Sequence, residues 1–265
     1  LHNAIHTADV QKVFVAVGEY KVGAHSFVMK NGVEIYGGFD PENGITDLTH
    51  DRILPNKTAS EGSILNGENA RAVIWNVDNT VNSTAVLDGF TVKNGYSSDV
   101  AGGIRNVGAS PVYRNLVIKD NNAGDGAGIY ISGGSPVFTD LVIQNNTTSH
   151  YGGGIYTGNA SSPKITNAVI KGNKSYESGT GLYNDGNSSP VLTNVLFTGN
   201  SSGNIGTANA VISRSGYVEL RNVTIVDNIS TNFGVRALTA LPLSGGSIGV
   251  YNSIVFGSIS DGDIS

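Results

Sequence analysis

The 265 residues include 36 glycines and no cysteine, only 14% of them are charged, and the net charge is −5. The absence of cysteine excludes a disulfide scaffold, a thiolate zinc site and a cysteine nucleophile. The acidic balance speaks against nucleic acid, whose phosphates need clustered Lys and Arg. A hydrophobic content of 39% supplies a core and speaks against disorder, and no apolar run approaches the roughly 18 residues of a membrane span. So much Gly, Asn, Ser and Thr penalises helical backbone.

The chain opens at Leu1 without an apolar targeting segment, as expected if a leader was removed or the ends were trimmed. Residues 1–8 read as a short amphipathic helix that caps the open end of a core. Residues 13–17, 26–29 and 33–36 read as strands, and 38–60 as a long polar excursion holding Pro41, Asp47, Asp51, Arg52 and Pro55. Leu87, Phe90 and Val92 then open a pattern that recurs to Asn228, with Ile254 and Phe256 fitting a last copy.

The copies are explicit. Gly126-Ala127-Gly128-Ile129-Tyr130 returns as Gly152-Gly153-Gly154-Ile155-Tyr156 and as Gly179-Thr180-Gly181-Leu182-Tyr183, with Gly102-Gly103-Ile104-Arg105 as a shorter version. Ser-Pro pairs follow, with prolines at 111, 136, 163 and 190, spaced by 25, 27 and 27 residues. Asn115, Asp140, Asn167, Asn194 and Asn222 form one polar column, and Asn121, Asn146, Asn173, Asn200 and Asn228 another. Between them run apolar columns: Tyr113, Phe138, Ile165, Leu192 and Leu220; Leu116, Leu141, Ala168, Val195 and Val223; Ile118, Ile143, Ile170, Phe197 and Ile225. A fourth is Ile104, Ile129, Ile155 and Leu182. Columns that take only apolar residues face a core, and columns that mix Lys, Glu, Thr and Val face solvent.

A unit of about 25 to 28 residues buries its apolar face only by stacking on its neighbours. Its strands of three to five residues, broken by Gly, Pro and Asn turns, specify an all-β chain. The expected fold is a single-stranded right-handed parallel β-helix, a solenoid of about eight or nine coils at roughly 4.8 Å per coil, forming one domain over residues 1–265. The repeated asparagines are expected to turn inward at bends and bond their copies above and below.

Gly152-Gly153-Gly154-Ile155 and Phe197-Thr198-Gly199-Asn200, with Ile170-Lys171-Gly172-Asn173 and Ile225-Val226-Asp227-Asn228 as variants, resemble the repeats of polymorphic outer-membrane proteins, within the pectin-lyase-like β-helix superfold. The opening residues 13–20 and 33–39 resemble the usual start of such bacterial surface proteins. The resemblance spans nearly the whole chain, but its motifs are turns and core. It implies a secreted or cell-surface, outer-membrane-associated bacterial protein of adhesin type; the expected partner, polysaccharide or host glycan, rests on the side chains below.

The superfold also hosts polysaccharide lyases and hydrolases, so a site must be sought in the residues themselves. The Asn-Thr-Asp, Asp-Asp, Gly-His-Gly and Arg-Ile-Lys motifs of polygalacturonase-like hydrolases do not occur here. Counting back four or five places from the core Ile or Leu gives Asp99, Asp125, His150 and Glu177. Stacked coils bring these turns together, so paired-carboxylate chemistry is the catalytic alternative; a hydrated turn is the plainer reading. Tyr130, Tyr156 and Tyr183, preceded by Arg105, occupy the outward place beside the core column. Their stripe is either a sugar-binding surface or a set of cross-strand packing pairs, and the two readings are compatible. The functional expectation is a non-catalytic surface module binding glycan through Arg105, Tyr130, Tyr156 and Tyr183, with no metal and no cofactor. A lyase or hydrolase of acidic polysaccharide and a purely structural spacer are the alternatives.

Overall fold

In the computed structural model, residues 1–77, 80–203, 209–230, 236–256 and 258–260 are described. Parallel strands stack as a β-helix of about 8 turns. Among the described residues three sheets carry it. A long sheet of 14 strands includes Val112–Lys119, Val137–Gln144, Lys164–Lys171 and Val191–Thr198. A side wall of eight strands includes Ile74–Val77, Ile104–Val107, Ile129–Ser132, Ile155–Gly158 and Leu182–Asn184. A short sheet of five two-residue strands runs through Asn122–Ala123, Thr147–Thr148 and Lys174–Ser175.

Every apolar column read from the repeats lies in register inside one hydrophobic cluster. Phe138 stands opposite Tyr113 and Ile165, and Ile155 opposite Ile129 and Leu182, and all of these are fully buried. The glycine before each core Ile has a steric cause. A Cβ on Gly128 would stand 2.5 Å from the Gly154 carbonyl oxygen, and one on Gly154 2.6 Å from that of Gly181. At such positions consecutive coils approach too closely for a side chain.

The two polar columns do different things. The second is buried and forms an inward amide ladder. Asn146 Nδ2 donates to Asn173 Oδ1 at 2.9 Å, and Asn173 Nδ2 to Asn200 Oδ1 at 3.0 Å. Each Oδ1 also accepts the backbone N–H of the Asn one coil earlier, and Asn173 Nδ2 reaches the Ile143 carbonyl. The first column points outward, contrary to the inward expectation. Asn115, Asp140, Asn167, Asn194 and Asn222 take left-handed backbone, φ +50 to +58°, which bends the chain there and turns the side chain to the outer face of the sheet. There they bond in the opposite direction along the rod, Asn194 Nδ2 to Asn167 Oδ1 at 3.1 Å and Asn222 Nδ2 to Asn194 Oδ1 at 3.2 Å. Asn and Asp recur because they tolerate this conformation better than other residues with a Cβ.

The N-terminal third follows the sequence with shifts. The helix is His2–His6 and buries Ile5 at the core end. Strands run Lys12–Ala16 and Glu34–Phe39. Residues 26–29 form only an isolated bridge from Phe27 to Ile74, although Phe27 and Met29 are buried. The excursion lies against the outer face of the long sheet, pinned by Arg52. This side chain is 12% exposed, bonds Asp88 at 2.9 Å and the Gly37 carbonyl at 3.0 Å, and lies over the Tyr36 ring. Ile254–Val255 pairs with Thr224–Ile225 as part of the last coil. Among the described residues no helix is long and apolar enough to cross a membrane.

Asn173→Ala leaves several buried ladder groups of neighbouring coils unpaired, each costing about 1–3 kcal/mol. The expected loss is about 3 kcal/mol or more in urea unfolding. Asn167→Gly keeps the left-handed bend and should change stability by less than about 0.5 kcal/mol. Equal losses for the two variants would contradict the separate roles of the ladders.

Candidate functional site

The residues singled out from sequence all lie on or beside the side wall. Tyr130, Tyr156 and Tyr183 occupy successive rungs, with Arg105 one coil earlier and Trp75 before it. The rings lie face to face: Tyr130 and Tyr156 have centroids 5.0 Å apart at 12°, Tyr156 and Tyr183 5.5 Å apart at 16°. The Arg105 guanidinium lies 4.0 Å over the Trp75 ring, and no carboxylate among the described residues is in salt-bridge range of it. The tyrosine faces are therefore largely used on one another, and Tyr130 and Tyr156 remain partly exposed. Tyr183 is only 4% exposed, because Tyr151 from the preceding turn stacks on it at 4.5 Å.

Burial raises all three phenols, and Tyr183 is pushed up to about 12, with the nearby Asp185 carboxylate adding to the effect. On the far side of the wall Asp185 bonds Arg214 at 3.1 Å and accepts from Ser215 Oγ at 3.0 Å. These neighbours, and Tyr151 with Trp75, were not singled out from sequence, because Asp185 and Arg214 belong to no repeated column.

The four turn residues do gather into a ridge beside the wall. The Asp125 amide bonds the Asp99 carbonyl, His150 N–H the Gly124 carbonyl, and Glu177 N–H the His150 carbonyl, each at 3.0 Å. Their side chains do not form one constellation. Asp125 Oδ1 accepts Tyr151 N–H at 3.0 Å and stands 4.0 Å from His150 Nδ1. Glu177 instead takes the Tyr151 hydroxyl, a bond that pushes this phenol up to about 12. Burial holds the Asp125 carboxyl above the ordinary carboxylate range, against the lowering pull of the Tyr151 N–H and His150. No group of three or more His, Asp or Glu among the described residues is arranged to hold a metal ion.

On the other flank of this ridge an open cleft of about 580 Å³ lies along the short sheet, lined by Asn122, Thr147, Ser149, His150, Lys174, Tyr176 and Glu177 among others. It includes two residues singled out from sequence, His150 and Glu177. The signal for the rest was a length change: five residues lie between Ala123 and Ile129, but six between Thr148 and Ile155.

Compared with known proteins, the chain matches no family model, no curated protein and no solved structure. What the structure establishes is the parallel β-helix of about 8 turns.

Between the ordinary carboxylate value and the raised one, folded Asp125 keeps a proton that the unfolded chain has released, so its ionisation costs stability as pH rises through that interval. Asp125→Asn keeps the acceptor for Tyr151 N–H and removes the titration. The melting temperature of the variant minus that of the parent is expected to grow as the pH rises above the ordinary carboxylate value. A flat or falling difference would remove the burial argument for this carboxyl.

Proposed function

We propose that the chain is a non-catalytic β-helix module, secreted or displayed at the bacterial cell surface, that binds an extended glycan along its side wall. The observation that carries the reading is the ladder itself: Trp75, Arg105, Tyr130, Tyr156 and Tyr183 follow one another in strict register along the axis. A linear polymer with hydroxyls at regular intervals suits a row of phenol edges at one per coil. The surface location is supported by the Gly-Gly-x-Ile and Phe-x-x-Asn motifs. A spacer role needs only the stacked core.

Because ring faces pack on one another, hydroxyls carry the binding in this reading. Replacing Tyr130 and Tyr156 together by Phe retains the packing and removes two hydrogen-bonding groups. Affinity for a polysaccharide that binds the parent is expected to fall by about tenfold or more, measured by affinity electrophoresis. Unchanged binding would place the glycan elsewhere, and no binding by the parent across a panel of neutral and acidic polysaccharides would favour the spacer.

One observation favours a catalytic second reading: a raised carboxyl, Asp125, beside an imidazole at 4.0 Å has the ingredients of acid–base work. Incubation of the parent with acidic polysaccharides is expected to release neither reducing nor unsaturated ends. Release that disappears in Asp125→Asn would overturn the non-catalytic reading.

A further inference from the structure

We propose a second carbohydrate site, separate from the tyrosine ladder, in the cleft of the short sheet, where a single pyranose ring stacks on Tyr176. Three backbone bonds set the local register: Ser149 N–H to the Ala123 carbonyl, Tyr176 N–H to that of Thr148, and Gly203 N–H to that of Ser175. Gly124, Ser149, Tyr176 and Gly203 thus follow one another up the outside of the rod, one per coil. Tyr176 is the one large side chain in a column of small ones, and it is 45% exposed.

One side of its ring is taken. A Cβ on Gly203 would come within 2.9 Å of Tyr176 Cδ2, so the ring leans over the glycine of the following coil. The other side borders the cleft, where the column continues as Ser149 and Gly124, both small. No described ring stacks on Tyr176, in contrast to Tyr130, Tyr156 and Tyr183.

The vacant place has the dimensions of a missing rung. Neighbouring coils are about 4.8 Å apart, and rings on the side wall stack at 5.0 Å. A tyrosine at position 149 would fill the gap, and so does a flat, ring-shaped ligand resting on Tyr176. The chemistry of the rim selects which ring. Asn122, Thr147, Ser149, His150, Lys174 and Glu177 line the cleft and offer donors and acceptors on several sides of the phenol. That combination suits a ring with an apolar face and a circumference of hydroxyls, which is a sugar. An unsubstituted aromatic ligand would make no use of those rim groups.

The site shares its ligand class with the side-wall reading and none of its tyrosines, so the two can fail separately. Maltohexaose, cellohexaose and chitohexaose are the probes, titrated against the whole chain by calorimetry and by saturation-transfer NMR, with circular dichroism confirming the fold of each variant. At least one hexaose is expected to bind the parent. Tyr176→Ala and Ser149→Tyr, which remove the platform and fill the gap, are each expected to weaken it by about tenfold or more. Tyr176→Phe, which keeps the face, should remain within about twofold. The proposal is overturned if none of the three binds the parent, or if binding survives both Tyr176→Ala and Ser149→Tyr undiminished. Binding lost in the Tyr130→Phe, Tyr156→Phe double variant but intact in Tyr176→Ala leaves the side wall as the site and removes this one. The opposite pattern keeps the cleft and removes the wall.

Discussion

Stacking of one coil on the next at the spacing of a β-sheet governs everything else in this molecule. A chain so rich in glycine and asparagine cannot rely on local propensity, and each coil is too short to enclose a core. Register therefore has to be imposed between coils. The buried ladder from Asn121 to Asn228 does this with directional bonds: each amide from Asn121 to Asn200 spans to the next coil and also satisfies backbone. A slip of one residue would break the amide chain and carry the apolar columns out of the core. Charge is sparse for a related reason, since like charges on successive coils would lie a few ångströms apart.

The same repeat sets what the surface can present. A side chain on the outside recurs at one-coil intervals if the column keeps its residue type, and a gap opens where the column changes. The side wall shows the first case, with three phenols stacked in contact. The cleft shows the second, with Tyr176 bordered by Ser149 and Gly124 in place of rings. The ridge of Asp125, His150, Tyr151 and Glu177 separates the two, and its side chains are engaged with one another in pairs.

The core was legible because inward positions admit one kind of residue in every coil, so Phe138, Ile165 and Leu192 align by inspection. The outer Asn column was legible as a repeat but not in its direction. Its side chains are turned outward by the left-handed bend at Asn115, Asp140, Asn167 and Asn194, and backbone angle leaves no mark in a spacing. The tyrosine stripe was legible in its position and not in its ring orientation, which depends on how close packing rotates each phenol. The cleft escaped notice for a different reason: it is made by smallness at positions 124 and 149 and by one added turn residue. Periodicity finds what recurs, and a binding gap is a departure from recurrence.

The most direct test of the link between coil stacking and recognition is a crystal structure of the chain with a hexaose that binds it. The account predicts a pyranose ring in the cleft over Ser149, parallel to the Tyr176 ring and about one coil spacing from it, with its hydroxyls on Thr147, Lys174 or Glu177. A ligand seated away from both Tyr176 and the tyrosine ladder, or a Tyr176 ring turned so that neither face is open to the cleft, would contradict it.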